Sequence, residues 1–244
     1  STEKLLAGTD SKITTVGYYC NPIQYAEHRK TLENVICTAG KFGATHVSTF
    51  AGAWEGKPVE SAYEEFGKVF RELADLAEEK GVKLGIENCL MDGTWEHATC
   101  NIGFNPKAWE VMFEEVKNDN FGLEWEPTHQ MVQLIDPVTE LRKWCKKIVH
   151  IHGKDATIDW DAVRHSGISG AVPFVWHRMP GFGDTNWRDI ISILRSNGYE
   201  DDICIEGYHD PVYSGELEMT GQLHALNYLK WCRGGDFTLT QWAK

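Results

Sequence analysis

Short apolar runs rich in β-branched residues alternate with longer stretches of helical period along the chain. The runs "KITTVGYY" (12–19), "THVSTF" (45–50), "VKLGIEN" (82–88), "FGLEWE" (121–126), "KIVHIHGKD" (147–155), "PFVWHRM" (173–179) and "DICIEG" (202–207) predict strands. Helical spacing fills 25–43, 61–81, 105–119, 136–147, 186–198 and 217–235. Gly81 reads as a helix stop, and Asn105-Pro106 and Asp136-Pro137 read as helix starts. This alternation predicts α/β architecture with a parallel sheet. No dinucleotide-binding glycine fingerprint is present, and polar residues recur at the C-terminal ends of the strands, where a (β/α)8 TIM barrel gathers its active site. A closed barrel has eight strands. The expectation is therefore a single barrel domain over 1–244 whose first strand is missing, the chain opening on a helix tail, "EKLLAG".

Strand side chains alternate faces, so Glu124 and Glu126 share one face while Leu123 and Trp125 share the other. With Leu123 and Trp125 packed outward, both glutamates face the barrel axis. By the same parity His150, His152 and Lys154 share a face, and Glu87 and Glu206 stand near the ends of their own strands. Glu87, Glu126, His152 and Glu206 converging on one point would repel one another, and a divalent cation removes that conflict. Oxygen-rich ligation with one histidine suits Mn²⁺ first, then Mg²⁺ or Co²⁺, with Zn²⁺ behind them. Glu124 and His150, two residues deeper, are expected to hydrogen-bond to each other or to the ligands. His129, just past its strand, is a candidate fifth ligand, a partner that orients a ligand, or a substrate contact, the last being favoured.

Composition narrows the partners. A net charge of −12 repels phosphate backbones and anionic membranes, so neither nucleic acid nor membrane is expected. Seven cysteines without a Cys-x-x-Cys pair argue for reduced thiols in a soluble cytoplasmic protein. Tryptophans such as Trp231 and Trp242 suggest an interface, in a homo-oligomer or with another subunit.

The motifs "GIEN", "GLEWEPTH", "IVHIHGKDA", "RMPGFGDTNW" and "ICIEGYHDP" resemble, in order and spacing, the xylose-isomerase-like TIM-barrel family of sugar phosphate isomerases and epimerases. The resemblance implies that Glu87 and Glu206 bind the metal and act as an acid/base pair on opposite faces of the substrate. It implies that Glu126 and His152 complete the metal site and that His129 touches a sugar hydroxyl. The family usually carries Asp where this chain has Glu126, whose extra methylene moves the carboxylate outward by roughly 1.5 Å.

The expected reaction is proton abstraction α to a sugar carbonyl through a metal-stabilised enediolate, giving isomerisation or epimerisation. An alternative is a lyase or deglycosidase subunit that follows the same deprotonation with elimination from a 3-keto-glycoside. A second alternative is a non-catalytic sugar-binding subunit. Trp54 is a candidate to stack on a sugar face or to pack over the barrel mouth. Arg178 is a candidate for a substrate oxygen or phosphate, with Asp184 opposing phosphate. Lys154 is a candidate to neutralise an enediolate or to pair with Asp155 or Glu126.

Overall fold

The computed structural model describes residue 4 and residues 6–235. Contacts gather the chain into two compact units, Ser1–Glu124 with Lys147–His150, and Trp125–Lys146 with Ile151–Lys244.

In the first unit, β1 (Thr15–Gly17), β2 (His46–Thr49), β3 (Lys83–Glu87) and the leading residues of β4 (Phe121–Trp125) pair in chain order, all parallel. The opening of β5 (Ile148–Gly153) lies so close to β4 that a Cβ on Gly122 would stand 2.4 Å from the Lys147 carbonyl oxygen. Parallel pairing requires crossovers, supplied by α1 (Ala26–Ala39), α2 (Tyr63–Glu79) and α3 (Pro106–Glu115). Every residue of β2 and β4 is buried, as expected of parallel strands covered on both faces.

α2 buries Phe66, Val69, Phe70, Leu73, Ala74 and Ala77, a stripe set by helical spacing. Phe66, Phe70, Phe113 and Phe121 form one aromatic cluster, with ring centroids 4.5 Å apart in the tightest pair. Each such ring contributes about 1.5–3 kcal/mol on burial. The sequence signals at the helix ends act as read. Asn105 accepts the Lys107 N–H at 2.9 Å with Pro106 in the first turn, and α2 stops before Gly81, whose φ of +70° would strain a residue with a Cβ.

The second unit holds α4 (Pro127–Met131), α5 (Pro137–Trp144), the end of β5, β6 (Asp155–Ile158), α6 (Trp160–Ser166), β7 (Val175–Arg178), α7 (Trp187–Ser196), β8 (Ile203–Ile205) and α8 (Glu218–Arg233). β5 pairs with β8 in parallel, His152 opposite Cys204. α7 buries Trp187, Ile190, Ile191, Ile193 and Leu194 and packs against α8.

Two expectations need correction. The run 147–155 does not continue as one strand: it breaks at Lys154, and Asp155 opens β6. The run 173–179 does form a strand, β7, but it pairs antiparallel with β6 in a separate two-stranded sheet. A parallel return needs a crossover long enough to carry the chain back along the strand. Residues 159–174 contain only the short α6, so the chain doubles back instead.

The helix tail expected at 3–8 lies partly outside the described residues, and Trp242 lies wholly outside them. Trp231 is 53% exposed. All seven cysteines are free, and no helix among the described residues is long and apolar enough to cross a membrane.

Candidate active site

β4 ends at Trp125, and the next residue, Glu126, is the N-cap of α4, with extended backbone leading into Pro127. The Trp125 indole N–H donates to Gln130 Oε1 at 2.9 Å, pinning α4 to the residue that ends the strand. Glu126 and His129 thereby lie one helical turn apart, His129 Nε2 at 3.3 Å from Glu126 Oε1. On β5, His152 Nδ1 lies 3.5 Å from Glu126 Oε2 and 3.2 Å from Glu206 Oε2. The Glu206 N–H bonds to the Gly153 carbonyl at 3.1 Å, extending the β5–β8 ladder by one residue and setting the carboxylate beside His152 and Lys154. Lys154 Nζ lies 2.9 Å from Glu206 Oε1 and 3.8 Å from Glu126 Oε1.

Glu126 is fully buried and Lys154 is 3% exposed, so these charges interact with little screening. Burial would raise the Glu206 carboxyl, but the neighbouring His152 and Glu126 and the charge of Lys154 outweigh it and hold the group well below the usual carboxylate range. Burial first, and then the charge of Lys154, pushes His129 down to about 3. The same two causes push His177 down to about 4. Both imidazoles are neutral at neutral pH.

Glu126, His152 and Glu206 each offer a ligand atom, all within 4.8 Å of one another. Glu206 Oε2 is sealed from water with no hydrogen-bond donor aligned to it. A sealed carboxylate oxygen is costly unless a cation or donor meets it. Two carboxylates and an imidazole are also the donor chemistry of a divalent cation site, so these residues fit such an ion.

Within the first unit, Glu87 closes β3 in register with Glu124 and is 7% exposed. Glu124 accepts from the Tyr19 hydroxyl at 2.8 Å and lies 3.8 Å from His150 Nε2, so the two expected partners are neighbours at ion-pair distance, too far apart for the hydrogen bond expected between them. The other ring nitrogen of His150 lies 3.4 Å from Thr15 Oγ1. Trp54 sits half-buried in the loop after β2.

Arg178 ends β7, with Nε 3.3 Å from Asp210 Oδ2 and its guanidinium 5.8 Å from the Phe182 ring. Sequence reasoning passed over His177, whose ring stands 6.2 Å from that of His129 and 5.6 Å from that of His209. It also gave no role to Asp210, and considered Asp155 only as a partner for Lys154. Asp155 instead accepts backbone N–H groups, donors that leave no mark in the identities of the residues carrying them.

The family model described as xylose isomerase-like TIM barrel matches residues 2–230. The chain belongs to the xylose isomerase-like TIM-barrel family. Among curated relatives, an inosose dehydratase of Clostridium tetani is 26% identical over 170 residues, covering 68% of this chain and 54% of that protein. The chain thus spans about half the length of that relative. Among solved structures, D-psicose 3-epimerase crystallised in the presence of D-fructose superposes with a TM-score of 0.68 at 16% identity, covering 91% of this chain and 76% of that one. IolI protein with a bound zinc atom gives a TM-score of 0.66 at 20% identity, covering 94% and 77%. For a xylose isomerase-like barrel the C-terminal strand ends are the expected place for chemistry, and Glu126 and Glu206 each directly follow a strand.

Proposed function

We propose that this xylose isomerase-like chain is a divalent-metal-dependent enzyme that removes a proton from the carbon beside a sugar carbonyl, as an isomerase or epimerase. The observation that carries the reading is the seat of His152 Nδ1 between the Glu126 and Glu206 carboxylates, at 3.5 and 3.2 Å. Glu126, His152 and Glu206 would hold the ion, Mn²⁺ by donor type, with the zinc in the IolI structure keeping Zn²⁺ among the metals to test. A bound divalent cation supplies positive charge that polarises the carbonyl and eases loss of the neighbouring proton.

The chain's own groups do the rest. Glu206 is kept ionised at neutral pH and so is able to accept a proton, while Lys154 fixes its Oε1 at 2.9 Å and sets its orientation. Neutral His129 offers one donor and one acceptor to a hydroxyl. Glu87 keeps, on its motif alone, the roles of further ligand and second acid/base. Seven free thiols fit a reducing cytoplasm.

The curated relative's name favours a second outcome for the same first step. Where a leaving group sits β to the deprotonated carbon, its loss makes the enzyme a lyase, as a dehydratase is.

The test is metal content after dialysis, wild type beside Glu126→Gln, followed by incubation with D-fructose or an inosose in D₂O under NMR. About one metal per chain in the wild type, with less in the variant, is expected. Deuterium appearing beside the carbonyl without loss of water indicates an epimerase or isomerase, and loss of water indicates a lyase. Equal metal in both proteins sinks the ligand assignment. A Glu206→Gln variant is expected to slow exchange by at least about 100-fold.

A further inference from the structure

In (β/α)8 barrels the loops leaving the last strands, together with a helix N-terminus, commonly cradle a phosphate with their backbone N–H groups. In this chain N–H groups of the loop between β7 and α7, of the loop after β8 and of Ala156 in β6 point onto two aspartates instead. Asp155 Oδ1 accepts from the N–H of Ala156 at 2.8 Å and of Thr185 at 2.9 Å, and Oδ2 accepts from Gly181 at 3.0 Å and Gly183 at 3.3 Å. Asp210 Oδ1 accepts from the N–H of Val212 and of Tyr213, each at 2.8 Å. Its Oδ2 accepts from the Met179 N–H at 2.7 Å and from Arg178 Nε at 3.3 Å.

Both aspartates are buried, at 0% and 2% exposure. The loop closes on Asp155 so tightly that a Cβ on Gly183 would stand 2.4 Å from its Oδ1, which explains the glycine there. A buried carboxylate ringed by N–H donors is the arrangement a phosphate oxygen would otherwise find. It also places negative charge where a phosphate would carry its own. The cations nearby already face carboxylates, Lys154 against Glu206 and Arg178 against Asp210.

We propose that Asp155 and Asp210 fill the phosphate cradle of this barrel with the chain's own carboxylates, so that the site takes an uncharged sugar and rejects its phosphate ester. The filled cradle stands on geometry alone, and the sugar half rests on the reading of the site given above. Asp155 and Asp210 act here as specificity residues. They are not placed in contact with the reacting atoms.

The experiment titrates inorganic phosphate into metal-free wild type and into Asp155→Ser by calorimetry, and compares D-fructose with D-fructose 6-phosphate on the metal-loaded wild type. Wild type is expected to show no saturable phosphate binding in the millimolar range, and the phosphate ester is expected to bind at least about tenfold more weakly than the free sugar. Asp155→Ser, if folded by circular dichroism, is expected to gain saturable phosphate binding, an effect that a purely structural role would not produce. Saturable phosphate binding by wild type, an ester that binds as well as the free sugar, or a folded variant that gains nothing would each overturn the proposal. If Asp155→Ser does not fold, the two wild-type measurements decide alone. Phosphate binding by wild type would leave the metal reading intact, whereas failure of Glu126→Gln to lower metal content would leave the filled cradle standing.

Discussion

Replacing Asp210 separates a carboxylate that organises two stretches of backbone from one that only decorates a surface. The Met179 N–H, on a fully buried residue, has water excluded and would be stranded by Asp210→Ala, at a cost of about 1–3 kcal/mol. The N–H groups of Val212 and Tyr213 are nearer solvent, so losing their bonds costs less, about 0.5–1.5 kcal/mol each. Arg178 would lose its partner as well. The expected total is about 3–5 kcal/mol. Asp210→Asn keeps an oxygen for Val212 and Tyr213 but turns an amide N–H₂ toward Met179, and is expected to cost about half as much. Burial opposes ionisation of Asp210, yet its backbone donors and Arg178 outweigh burial and hold the carboxyl below its usual value. A folded-state pKa below the unfolded one gives stability that is present above the unfolded value, about 3.9, and is lost as pH falls through the folded value. The gap between wild type and Asp210→Asn should therefore narrow as pH drops below about 4. Urea unfolding followed by the fluorescence of the ten tryptophans, at neutral pH and in acid, measures all three quantities. A cost below about 1 kcal/mol for Asp210→Ala, or a gap that stays the same in acid, would refute the reasoning.

Gly122→Ala would drive a Cβ into the Lys147 carbonyl and to 2.6 Å from Val149 Cγ1, with backbone on one side that cannot move away. It should cost about 1–3 kcal/mol or more by the same unfolding assay, and unchanged stability would contradict the close approach of β4 and β5 there. His177, held down to about 4 by burial and Lys154, should stay neutral at pH 5.5 in a ¹⁵N NMR titration. A midpoint near the ordinary value of about 6.5 would show the ring to be more open than the structure places it.

Much of this protein was legible as pattern. α2 and α7 announce themselves through apolar spacing, and the Asn-Pro and Asp-Pro starts of α3 and α5 fell where they were read. Period-two parity put Glu126 and His152 at the ends of adjacent runs, and side-chain direction in a strand is a local property. What escaped was set by partners distant in sequence. An apolar run reads the same whichever way it pairs, so nothing in 173–179 disclosed that β7 runs antiparallel to β6. Asp155 and Asp210 bind backbone N–H groups up to 31 residues away, and backbone donors leave no trace in residue identity. The short α4 was hidden because Pro127 follows a strand so closely that the turn looked like a strand end.

The doubling back of β6 onto β7 gives protein engineers a doorway. Ile158 and Val175 are cross-strand partners, so the excursion 159–174 leaves and re-enters the fold at neighbouring points, and its far half, from Gly167 to Pro173, is exposed throughout. A segment whose two ends already meet can be lengthened, shortened or replaced at little entropic expense. A peptide tag or small reporter domain grafted between Gly167 and Pro173 would be carried on a hairpin whose first residue, Asp155, holds the neighbouring loop and whose preceding residue, Lys154, pairs with Glu206.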